Sequence, residues 1–134
     1  MSKYVRVETQ IKDEAMFVEA LKEMCLEEGI EFERGESLSL YGYQNQERPE
    51  KADYVIRRRY VGRAANDLGF KRCEDGSIEA IISEYDQRHR GQKLLNGVRR
   101  RYAVRAVQQA ARRAGHTVRT EKTEGNTVRL RIGA

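Results

Sequence analysis

The stretch Leu68-Gly69-Phe70-Lys71-Arg72-Cys73-Glu74-Asp75-Gly76-Ser77-Ile78-Glu79-Ala80-Ile81-Ile82-Ser83-Glu84-Tyr85 decides the fold class. Asp75-Gly76 supplies the positive φ that a tight turn demands, so residues 68–72 and 77–85 predict a β-hairpin. Ile78, Ala80 and Ile82 recur at the two-residue period of a strand and would line its buried face. Hairpins are antiparallel, so the neighbouring elements are expected to complete a largely antiparallel sheet.

Working toward the N-terminus, Ala52 to Val61 carries Tyr54, Val55, Ile56, Tyr60 and Val61, residues of high strand propensity, and predicts another strand. Before it, Arg34 to Lys51 is polar and holds Gly35, Gly42 and the only proline, Pro49. The expectation there is a long polar loop at about 34–51, carrying Tyr41 and Tyr43, of the kind that is often functional. Val5, Val7, Thr9 and Ile11 stand at alternate positions and predict a first strand over about 4–11. Asp13 is placed to cap a helix, with Glu14 favourable at its positive end. Met16, Phe17, Ala20, Leu21, Met24 and Cys25 then form one apolar stripe, and Gly29 ends it.

Toward the C-terminus, Leu94, Val98, Tyr102, Ala106, Ala110 and Ala114 recur at steps of four and predict a helix from about Arg88 to Ala114, stopped by Gly115. The alanines would let it approach a sheet closely. Val118 and Thr120, the turn Glu124-Gly125-Asn126, and Val128, Leu130 and Ile132 alternating with Thr127, Arg129 and Arg131 predict a closing hairpin. The sum is a single α+β domain over residues 1–134, with two helices packed on one face of a largely antiparallel sheet. Its C-terminal β-β-α-β-β part is expected to be ferredoxin-like.

The 134 residues are enough for one domain with its own core, and 39% of them are hydrophobic, too many for a disordered chain. No run approaches the roughly 20 apolar residues of a membrane span, and Met1 to Gln10 lacks a signal-peptide apolar core, so the expected location is cytoplasmic. Cys25 and Cys73 lack the spacing of a disulfide framework or a metal knuckle and read as reduced thiols. The formal charge of +5 is unevenly distributed. Residues 1–50 hold 6 basic and 12 acidic side chains, a balance of −6, whereas residues 51–134 hold 20 and 9, a balance of +11. A cationic portion of that size favours polyanions or an acidic protein surface.

Ala52-Asp53-Tyr54-Val55-Ile56, Asn66-Asp67-Leu68-Gly69-Phe70-Lys71-Arg72, Asp75-Gly76 and Arg101-Tyr102-Ala103 together resemble an uncharacterised family, hypothetical chloroplast open reading frame 35, also called domain of unknown function 1257. Ser2, Val7, Thr9, Ile11 and Asp13 are similar to that family's first strand and helix cap. The chain departs from the family in lacking its usual terminal Trp. The resemblance implies a small α+β protein, with ATPases of the AAA+ class as expected partners, and it transfers no catalytic residue.

Two clusters share one spacing: Arg57-Arg58-Arg59-Tyr60 followed by Arg63, and Arg99-Arg100-Arg101-Tyr102 followed by Arg105. On a helical wheel Arg101, Arg105, Gln108 and Arg112 fall within roughly 60° of one another, a stripe expected to face solvent. Guanidinium groups match phosphate oxygens and stay charged at any relevant pH, so Arg57, Arg58, Arg59, Arg63, Arg99, Arg101, Arg105 and Arg112 are the candidate nucleic-acid contacts. Tyr41 and Tyr43 would add stacking on unpaired bases. The bland alternative is a solvated helix face, with the strand arginines pairing to the acidic first helix.

The remaining chemistry is sparse. There is no phosphate-cradling GxxxxGK[ST] loop, and His89 and His116 flank a helix about 40 Å long, too far apart to share a metal. Cys25 lies on the apolar stripe, where packing outweighs nucleophilic use. Glu19, Glu23, Glu27 and Glu28 are expected on the outer face of the first helix as a solubility or partner surface. The expectation is a non-enzymatic binding module without cofactor or metal, engaging RNA or DNA. The alternative is an adaptor or accessory subunit for a protein such as an AAA+ ATPase, or a self-associating subunit.

Overall fold

The sheet is built outward from the central hairpin. In the computed structural model, which describes residues 2–124 and 127–133, strand β1 is Tyr4–Ile11, β2 Glu33–Gly42, β3 Gln46–Ile56, β4 Leu68–Arg72 and β5 Ile78–Ser83. β4 and β5 pair with Gly69 opposite Ile81 and Phe70 opposite Ala80. The Asp75 carboxylate closes their turn by accepting from the Ser77 amide and hydroxyl at 3.0 and 2.6 Å. β1 pairs with β5 and β3 with β4, giving the order β1-β5-β4-β3-β2 with every neighbour antiparallel.

Helix α1 spans Glu14–Glu28, α2 is the short Arg58–Val61, and α3 spans Arg90–Arg113. Asp13 caps α1 by accepting from the Met16 amide at 3.0 Å, and Gly29 ends it in the left-handed conformation. Phe17, Leu21 and Met24 of α1 and Leu94, Leu95 and Val98 of α3 bury one face of the sheet with Tyr54, Ile56, Leu68, Phe70, Ile78, Ala80 and Ile82. The Phe17 ring lies 5.0 Å from Tyr54 and 5.1 Å from Phe70. Where α1 crosses α3, a Cβ on Gly97 would stand 3.3 Å from the Met24 side chain, so only a glycine lets the helices come this close without displacement. The Tyr102 hydroxyl accepts from the amides of Lys12 and Asp13 at 3.1 Å each, tying α3 to the start of α1. The protein is therefore α+β, with its two long helices on one face of an antiparallel sheet.

Residues 34–51 are not a loop. They form most of β2 and β3, joined through a single 3-10 turn at Tyr43–Asn45. This hairpin folds over the second face of the sheet, where Leu40 and Ala52 join Tyr4, Val55 and Ile81 in a second buried cluster. A Cβ on Gly69 would lie 2.9 Å from that of Ala52 and 3.1 Å from Leu40, so glycine makes room for the fold-over. Arg48 reaches across to β1, donating to the Ser2 carbonyl at 3.0 Å with its guanidinium 4.9 Å from the Tyr4 ring. Pro49 is tolerated because β3 pairs with β4 only at residues 54–56 and is an edge where Pro49 stands.

The strand expected over 52–61 ends at Ile56. The Asp67 carboxylate stops it: Oδ1 accepts from the Arg58 amide at 2.6 Å, and Oδ2 from the Arg57 guanidinium at 2.8 Å and the Tyr41 amide at 2.7 Å. Residues 58–61 turn into α2 as a result.

The alanine ridge of α3 is the third difference. Leu94 and Val98 are buried on the main core, but Ala110 and Ala114 are exposed, and Ala111 is the buried residue of the last turns. The helix outruns the sheet, and its end is packed by the closing hairpin, Thr117–Glu124 (β6) and Thr127–Gly133 (β7). The element order of the C-terminal part is as expected, while β6 and β7 stand as their own two-stranded sheet. Residues 125 and 126 of the expected turn lie outside the described residues.

Asp67 is fully buried and also takes the Tyr4 hydroxyl on its carbonyl at 2.7 Å. Replacing it by Ala leaves the Arg58 and Tyr41 amides without this acceptor while Arg57 keeps Glu33, and a buried donor left unsatisfied costs about 1–3 kcal/mol. Urea unfolding of Asp67→Ala is expected to show a loss of that size, whereas a change below about 1 kcal/mol would place the junction's stability elsewhere.

Candidate nucleic-acid interface

The candidate arginines divide into two sets by what their guanidinium groups already hold. Arg57 forms a two-pronged pair with Glu33 at 2.8 and 2.9 Å and donates to the Ser39 carbonyl and Asp67 at 2.8 Å each. These bonds raise its pKa above the usual arginine value and hold the Glu33 carboxylate below the usual range. Arg58 donates to the carbonyls of Ala65 and Arg63 at 2.9 and 3.1 Å and lies 5.6 Å from the Tyr43 ring. Tyr41 faces Arg57 at 5.8 Å. The first cluster is a bracket that holds the β2–β3 hairpin to the α2 turn. Arg59 and Arg63 remain exposed beside it, with Arg59 stacked on Tyr60, whose hydroxyl donates to Glu31 at 2.8 Å.

The helix stripe does not face solvent as a unit. The Arg101 side chain is 11% exposed and pairs with Glu27 and Glu23, and Arg105 meets Glu23 at 2.7 Å. Arg90 meets Glu28 at 3.1 Å. The carboxylates expected on the outer face of α1 are thus turned toward α3, because the Met24–Gly97 contact lays the last two turns of α1 alongside it. Neutralisation stops there. Arg112 is exposed and Arg99 half-exposed.

The two expected clusters do not converge. Arg90 donates to the Tyr60 carbonyl at 3.1 Å, which places the first cluster beside the start of α3. Arg112 is 22 residues further along, about 33 Å at the helical rise.

The strongest basic surface includes residues outside the candidate set. Residues 51–87 hold 7 basic and 7 acidic side chains, so the whole +11 lies in residues 88–134, with 13 basic and 2 acidic. On β7, Arg129 and Arg131 are exposed while Val128 and Leu130 are half-buried. The β6–β7 register sets Arg119 opposite Arg131 and Lys122 opposite Arg129. Like charges facing each other across strands weaken a hairpin. Arg131 is compensated by Glu121 at 3.2 Å, while Arg119 is exposed. Arg113 is exposed at the base of this ribbon. The alternation of Arg129 and Arg131 was visible in the sequence; the place of Arg131 opposite Arg119 needed the register.

The other groups are occupied structurally. Burial pushes the Cys25 thiol up to about 11, which disfavours the thiolate a nucleophile requires. Asp86 is buried and raised above the usual carboxylate range by desolvation, and it accepts from the Asn66 amide and the Ser83 hydroxyl at 3.1 and 2.9 Å. Among the described residues no cluster of three His, Cys, Asp or Glu could hold a metal, and no helix is long and apolar enough to cross a membrane.

The facing arginines give a test in the folded state alone. Arg119→Thr replaces one of two facing cations by a good strand former and is expected to raise stability by about 0.2–1 kcal/mol in urea unfolding. A loss of stability would mean that Arg119 has a structural partner. Residues 20–130 match the model of the family described as protein of unknown function (DUF1257). No curated protein and no solved structure matches the chain.

Proposed function

The chain belongs to the DUF1257 family, and we propose that it is a non-enzymatic module that binds a polyanion, a nucleic acid, through the end of α3 and the outward face of the β6–β7 ribbon. The observation that carries this reading is the Arg119–Arg131 register on an exposed ribbon. Glu121 offsets part of this like-charge pairing through Arg131, and phosphates lying between the charges would offset the rest. Arg112, Arg119, Arg129 and Arg131 are the contacts, with Arg113 exposed beside them. Arg57, Arg58, Arg101 and Arg105 are left out because their guanidinium groups are partly buried and already serve partners inside the chain, whereas the Arg131 side chain, paired with Glu121, stays 68% exposed.

A second reading, a protein adaptor, has one specific observation in its favour. Leu26 is 83% exposed at the rim of a groove of about 480 Å³ lined by Cys25, Ile30, Phe32 and Tyr60. Exposed apolar surface of this kind marks docking sites.

Fluorescence anisotropy with labelled nucleic acid separates the two. Four phosphate contacts, from Arg112, Arg119, Arg129 and Arg131, predict a log–log salt slope of about −3.6 on a DNA duplex. No binding at low salt, or a slope near zero, would overturn the nucleic-acid reading. Recovery of a stoichiometric, nuclease-resistant protein partner that Leu26→Asp abolishes would favour the adaptor.

A further inference from the structure

Resting on the polyanion reading, we infer that the nucleic acid is duplex DNA in the B form, with the β6–β7 ribbon seated in its major groove. Three features of the surface select this ligand.

The first is the scarcity of stacking groups. Proteins that bind single strands place bases on aromatic side chains. The last Tyr, Phe or Trp of the chain is Tyr102, and its hydroxyl is engaged with the amides of Lys12 and Asp13. The exposed Tyr43 and Tyr85 lie beyond the other end of α3, on segments linked through Asn66 and Asp86. The ribbon runs back along α3, with Thr120 and Val128 beside Arg100, Arg101 and Val104, so about 15 Å of helix, from Arg90 to Arg100, lies between its near part and them. A surface with many guanidinium groups and, in His116 just before β6, a single exposed ring reads a strand that keeps its bases stacked.

The second is shape. Two antiparallel strands about 4.8 Å apart, with side chains on the outward face, make a ribbon that the major groove of B-DNA, about 12 Å wide, admits. β6 and β7 pair only with each other among the described residues, so no further strand widens the ribbon. The major groove of A-form RNA is too deep and narrow for side chains to read.

The third is spacing. Arg129 and Arg131 stand two residues apart on β7, about 6.8 Å along the strand. Phosphates advance about 3.4 Å per nucleotide along the duplex axis, so alternate residues keep step with every second phosphate. Arg119, opposite Arg131, supplies the matching cation on the other strand of the ribbon.

The full chain should be titrated at one salt concentration against three labelled probes of equal length: a DNA duplex, one of its strands, and the RNA duplex of the same sequence. The DNA duplex is expected to bind at least about tenfold more tightly than either other probe. Methyl green, which occupies the major groove, is expected to compete, and netropsin, which occupies the minor groove, to leave binding unchanged. The double variant Arg119→Gln with Arg131→Gln is expected to lose the preference for the DNA duplex without any fall in its unfolding midpoint. Equal or tighter binding of the single strand or the RNA duplex, or displacement by netropsin alone, would overturn the inference and leave the polyanion reading in place. Absence of binding to all three probes would remove both.

Discussion

The Asp67 carboxylate is the interaction on which the rest of the molecule depends. It is fully buried, and its two oxygens receive the Arg58 amide, the Tyr41 amide and the Arg57 guanidinium. Through these bonds one side chain ends β3, starts α2 and holds the tip region of the β2–β3 hairpin over the second face of the sheet. The neighbouring Asn66 extends the junction: its side chain takes the Tyr43 amide at 3.0 Å and gives to Ser83 at 2.8 Å, and its amide meets Asp86 just before α3. Buried polar groups in a connected network like this are costly when any member is removed, because each leaves a partner unsatisfied.

The network also divides the arginines. A chain with 26 basic side chains has guanidinium groups to spare, and the fold uses them in two ways. Arg57 and Arg58 bind carboxylates and carbonyls around Asp67, and Arg90, Arg101 and Arg105 tie α3 to the carboxylates of α1. Past Arg105, α3 continues to a ribbon that runs back along it, with Thr120 and Val128 in one groove with Glu23 and Glu27 of α1 and the exposed Arg119, Arg129 and Arg131 on its other face. The acidic N-terminal part therefore balances the first half of α3 and leaves the second half, with the ribbon, as the electropositive end of the molecule.

Most regular elements were legible in the residues because each carries a complete local signal. Asp13 before an apolar stripe, Gly29 after it, Asp75-Gly76 between two apolar alternations, and the four-residue steps from Leu94 to Tyr102 each specify one structure. Residues 34–51 were not legible as strands, because a hairpin that covers a sheet with one face and meets water with the other shows few apolar residues. Its signal, Leu38 and Leu40 alternating with Ser37 and Ser39, is outweighed by the glycines and proline around it. The short helix at 58–61 was hidden because a carboxylate nine residues away, and not local propensity, ends the strand. The candidate site was legible as a class of side chain, but not in which of its arginines the fold engages. A helical wheel locates Arg101 and Arg105 on one face, but it does not contain the packing of α1 that turns that face inward.

Residue-resolved modification with an arginine-selective dicarbonyl reagent, read by peptide mass spectrometry with and without a DNA duplex, tests the central division most directly. The account predicts slow modification of Arg57, Arg58 and Arg101, unchanged by DNA, and fast modification of Arg112, Arg119 and Arg129 that DNA suppresses. Fast, DNA-protected modification of Arg57 and Arg58, with the ribbon arginines indifferent to DNA, would contradict it.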